Sequence, residues 1–99
     1  MLSEKLVRNI QLVFEEIVSQ NLVPYSEVYY SVFPIKVLAE YSDSDESLKM
    51  NITYSGSQYN PIEGTDELSA VIVKKIAQDV KYQYKENINS IEILLKKPE

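Results

Sequence analysis

The chain has 99 residues, 44% of them hydrophobic and 25% charged, which is the composition of one ordinary globular domain. It has no cysteine and no histidine, so disulfides, thiolate chemistry, imidazole metal sites and histidine general bases are excluded. A formal charge of −5 argues against nucleic acid as a partner. At the N-terminus Glu4 falls early and no unbroken apolar stretch follows, so it does not read as a signal peptide. No apolar run is long enough for membrane insertion, and a cytoplasmic location is expected.

In chain order, 4–21 reads as an amphipathic helix. Leu6, Ile10, Val13, Phe14 and Ile17 recur at three-and-four spacing, Ser3 is placed to cap it, and Pro24 stops it. Residues 25–33 are a short strand or an irregular segment. Residues 35–41 read as a strand, and 42–47 as an acidic loop, SDSDES. That loop has too few residues for an EF-hand and lacks its central glycine, so it reads as a solvated turn and not as a calcium site. Residues 48–55 alternate, with Leu48, Met50, Ile52 and Tyr54 on one side, which completes an antiparallel hairpin. A second helix is expected over 66–79, capped by Thr65 with Asp66 and Glu67 in its first turn. Its apolar face is Leu68, Ile72, Val73, Ile76 and Val80, and Lys74 and Lys75 lie on its solvated side. A second hairpin, 80–86 and 90–96 about a turn at 87–89, ends the chain. The expected fold is α+β: a two-layer sandwich of two helices on one face of a four- to five-stranded mixed, mostly antiparallel sheet.

Both glycines of the chain, Gly56 and Gly64, stand in one stretch, YSGSQYNPIEG, ahead of the second helix. They suit a nucleotide-binding loop, and they equally suit a turn that needs positive φ. Glu15 and Glu16 form an acidic pair, but with no histidine to divide acid and base roles they read as a solvated helix face. The eight tyrosines suit either a protein interface or an amphipathic core.

Three stretches resemble the GHKL superfamily, the Bergerat-fold ATP-binding domains of histidine kinases and anti-sigma-factor kinases. The nearest likeness is the small stand-alone type, also seen as a cytosolic tail on some bacterial multidrug-efflux transporters. RNIQLVFEEIVSQNL is similar to the family's first motif helix. LKMNITYSGSQYNPIEG is similar to the strand that enters its first glycine loop. ELSAVIVKKIAQDVKYQYKENINSIEILL is similar to the closing helix and hairpin. The resemblance covers most of the chain and implies one histidine-kinase-like domain over 1–99, lacking the family's usual first strand and helix.

Carried over residue by residue, the resemblance makes Glu16 the catalytic base. It puts Gln20 where the family has a magnesium-binding Asn; in α-helical register Asn21 is turned away from Glu16 and would need a register shift to replace it. Tyr54 stands where an Asp accepts from adenine. Gly56 and Pro61 match the glycine loop, in which Gly64 also lies. The phosphate-wrapping glycines are replaced by Glu67-Leu68-Ser69-Ala70. The expectation is therefore a non-catalytic regulatory or protein-interaction module of bacterial type, with no cofactor and with a protein partner or a second copy. The alternative is an ATP-binding domain or anti-sigma-type protein kinase using Mg-ATP.

Overall fold

The computed structural model describes residues 4–22, 35–62 and 68–96; for 20, 21, 68 and 69 only the backbone is described. The expectations for Ser3, Gly64, Thr65, Asp66, Glu67, the segment 25–33 and the tyrosines Tyr25, Tyr29 and Tyr30 fall outside this set.

Helix α1 covers Glu4–Phe14 and runs directly into a π-helix, Glu15–Leu22. Strands β1 (Ile35–Ser42) and β2 (Ser47–Ser55) form the first hairpin. Helix α2 covers Leu68–Ile76, and strands β3 (Asp79–Lys85) and β4 (Ile88–Lys96) form the second hairpin. Among the described residues all pairings are antiparallel, and the four strands lie in the order β1-β2-β4-β3. The helices pack on one face, so the chain is a two-layer α+β sandwich.

The core follows from strand period and helix stripe. The central strands contribute Leu48, Met50, Ile52 and Tyr54 from β2 and Ile91, Ile93 and Leu95 from β4. Against them stand Leu6, Val13, Ile17, Val18 and Leu22 from the N-terminal helical segment and Val73 from α2. The other sheet face carries Lys49, Asn51 and Thr53 from β2, with Lys49 Nζ 3.3 Å from Glu92 Oε1.

Four details differ from the sequence expectation. First, 4–21 is not one α-helix. After Phe14 each turn closes on the fifth residue, so the chain rotates less per residue. Ile17, Val18 and Leu22 consequently all reach the core, while Phe14, off the centre of the α1 stripe, is 40% exposed. Second, α2 ends at Ile76 rather than 79. The Gln78 amide is taken by the Leu94 carbonyl at 2.7 Å, which diverts the backbone into the sheet. Third, the buried centre of α2 is Ala70 and Val73; Ile72 is half-buried, and Val80 belongs to β3.

Fourth, the second hairpin turns at Glu86 and Asn87, both at positive φ (51° and 64°), as in a two-residue type I′ turn. The turn is therefore not at 87–89, and Asn89 lies in strand β4. There it takes an inward position in line with Ile91, Ile93 and Leu95.

Candidate functional site

Of the residues to which the sequence draws attention, Tyr54, Gly56 and Pro61 stand at the C-terminal end of β2 and in the loop 56–62, while Glu16 and backbone position 20 belong to the π-helix. Tyr54 continues the inward row of β2 and is buried at 3% exposure. Its hydroxyl donates to the Tyr59 carbonyl. Gly56 follows with φ 122°, in the region where only glycine is unstrained, and a Cβ there would meet nothing within 4 Å. Its amide donates to the Asn87 carbonyl at 2.9 Å, and its carbonyl accepts from the Tyr84 hydroxyl at 3.0 Å. The glycine thus fastens the loop to the turn of the second hairpin. Further along, the Asn60 side chain accepts from the Ile62 amide at 2.9 Å, and Pro61 and Ile62 are buried.

The loop is organised by Asn89, which sequence reasoning had placed in a turn. Its side chain is fully buried, and all four of its hydrogen-bonding positions are used. Nδ2 donates to the carbonyls of Tyr54 at 3.3 Å and Ser57 at 3.1 Å. Oδ1 accepts from the Tyr59 amide at 2.9 Å and from the Tyr82 hydroxyl. A strand side chain therefore replaces the ladder partners that an irregular buried backbone would lack. The signal for it was present: one polar residue on the apolar face of an alternating strand.

Four tyrosines, Tyr41, Tyr54, Tyr59 and Tyr82, belong to the core or pack against it, which favours the amphipathic-core reading for these four.

Glu15 is exposed and Glu16 half-buried in the first turn of the π-helix. Backbone positions 20 and 21 follow Glu16 in the same π-helix, four and five residues on. Later in the chain, residues 68–70 are helical, and Ala70 is buried.

The acidic turn is held by side chains. Ser47 donates to Asp45 Oδ1 at 2.6 Å, and the Ser42 and Ser44 hydroxyls are 3.0 Å apart. The Ser47 hydrogen bond is the main reason that the Asp45 carboxyl lies below its ordinary pKa. Among the described residues no group of three acidic side chains is placed to hold a metal ion. Also among them, no helix is long and apolar enough to cross a membrane.

Compared with known proteins, the chain matches no family model, no curated protein and no solved structure.

Proposed function

We propose that the protein is a non-catalytic regulatory or protein-interaction module on a degenerate GHKL-like scaffold. The observation that carries this reading is Tyr54. The resemblance puts an adenine-accepting carboxylate at this position. Here the side chain is packed in the core, and its hydroxyl is committed to the loop carbonyl of Tyr59. The network around Asn89 holds the same loop by its backbone, so the loop is built as a fixed structural element. A glycine at 56 is required by its φ of 122° whether or not a nucleotide binds.

The electrostatics point the same way. Where the resemblance expects glycines to wrap phosphates, the sequence has Glu67-Leu68-Ser69-Ala70, which adds a carboxylate and removes the bare backbone. Each missing contact to a charged ligand costs on the order of 1–3 kcal/mol. Three such losses approach the ~8 kcal/mol that corresponds to micromolar affinity.

One observation favours the second reading, an ATP-binding or anti-sigma-type kinase domain. Glu16 and backbone positions 20 and 21 share one π-helix, so the candidate base and the positions that the resemblance relates to magnesium lie on one element. An amide NMR titration with ATP, with and without magnesium, separates the two. No shifts at several millimolar nucleotide are expected. Saturable shifts clustered on Glu16, Gln20, Asn21 and 56–64 would overturn the non-catalytic reading in favour of the kinase-like one.

A further inference from the structure

The edge strand β1 has an unusual composition for an edge. Among the described residues it pairs only with β2, so no described strand takes the main-chain amides and carbonyls on the other side of its eight residues. Natural edges of this length are usually blunted with proline, a bulge or repeated charge. β1 has no proline, pairs with β2 in unbroken register, and carries apolar residues on both faces. Val37 and Ala39 are exposed although they stand opposite the buried Ile52 and Met50, and Leu38 on the other face is 60% exposed.

We propose that β1 is the pairing edge for a second copy of this chain, joined antiparallel about a two-fold axis through Leu38. The argument is self-complementarity. An axis at Leu38 sets Lys36 opposite Glu40 of the second copy, and Glu40 opposite its Lys36. Leu38 then meets Leu38 across the axis. On the core side, Val37 meets Ala39 and Ile35 meets Tyr41. Charges of opposite sign therefore flank an apolar centre on one face, and the other face is apolar throughout.

The register is specific. Moving the axis to Lys36 or to Glu40 sets like charges directly against each other. Keeping the helical layers of both copies on the same side requires the axis to pass through a residue, because paired residues share a face. Among the axes at 36, 37, 38, 39 and 40, only the one at Leu38 pairs lysine with glutamate. Lys36 and Glu40 are also available for this, since neither has an ion-pair partner among the described residues; Lys49, across from Glu40, is engaged by Glu92. The result is an eight-stranded sheet with both helical layers on one side. The inference does not rest on loss of the nucleotide site, because an ATP-binding chain would have the same edge.

Sedimentation velocity on the full chain tests it, with the variants Lys36→Glu, Glu40→Lys and the double variant. All changed positions are exposed, and circular dichroism checks that each variant folds. The wild type should show a concentration-dependent dimer. Each single variant replaces two attractive pairs by two repulsive ones and should dimerise about 10-fold or more weakly. An equimolar mixture of the two single variants, and the double variant alone, should each recover the dimer, because both restore opposite charges at both contacts. A wild type that stays monomeric at millimolar concentration overturns the proposal. So does a single variant that dimerises as well as the wild type, or a mixture that recovers nothing. Hydrogen exchange of β1 in such a monomer would then show whether another part of this chain or nothing covers the edge.

Discussion

Asn89 shows how one polar residue can be the right choice inside an apolar row. Its carboxamide offers two donors and two acceptors in a rigid plane, and the loop 56–62 together with Tyr82 presents matching groups on both sides. Asn89→Ala should remove all four bonds, those to the Ser57 carbonyl and the Tyr59 amide of the loop among them. A loss of about 3 kcal/mol is expected, read as a lower urea midpoint. Asn89→Asp should be worse at neutral pH and milder in acid, because only the protonated carboxyl can donate. If Asn89→Ala melts like the wild type, the loop is held by something else. Asp45 gives a second test at this scale. Its folded-state pKa is lowered, chiefly by the Ser47 hydroxyl. Its contribution to stability is therefore present above the ordinary carboxylate pKa and lost as pH falls through the lowered value. Ser47→Ala should move the Asp45 titration, followed by carboxyl NMR, up toward the ordinary value.

At the scale of elements, the N-terminal helical segment was half legible. The three-and-four spacing correctly placed Leu6, Val13 and Ile17 on the buried stripe, because that spacing is set by α-helix geometry. It misplaced Phe14 and did not register Val18 and Leu22, because nothing in local spacing announces a change from four-residue to five-residue closure. The π-helix packs against α2, a contact between segments that local spacing does not contain. The two sites should separate experimentally. Val13→Ala should cost about 2 kcal/mol or more as a cavity in the core, whereas Phe14→Ser should stay within about 1 kcal/mol. Comparable losses from both would mean that Phe14 is covered in solution. The second hairpin carries the same lesson. Its strands were legible by alternation, but the turn was misplaced, which hid Asn89. Asparagine suits positive φ at 87 and equally a turn position at 89, and only cross-strand register chooses between them.

At the scale of the whole molecule, protection should be graded across the sheet. β2 and β4 are central and supply most of the strand contribution to the core, while β1 carries four exposed residues among its first five. In dilute solution the β1 amides should exchange faster than those of β2 and β4. They should slow as the concentration is raised, if a second copy adds to the edge. Equal protection of β1 and β2 at every dilution would contradict both the grading and the pairing.

Composition excluded whole classes of chemistry, because residues that are absent cannot act: no thiol and no imidazole is present at any position. Periodicity determined the fold class and the strand faces, because side-chain direction repeats with the backbone and is written locally. The tertiary structure alone decided the rest. It turned the hydroxyl of the inward Tyr54 to the loop, stapled that loop from Asn89 across 32 residues to Ser57, and widened the helix at Glu15. These are relations between segments far apart in the chain, and their energies depend on which polar groups are left without water when the layers close. No local pattern contains that information.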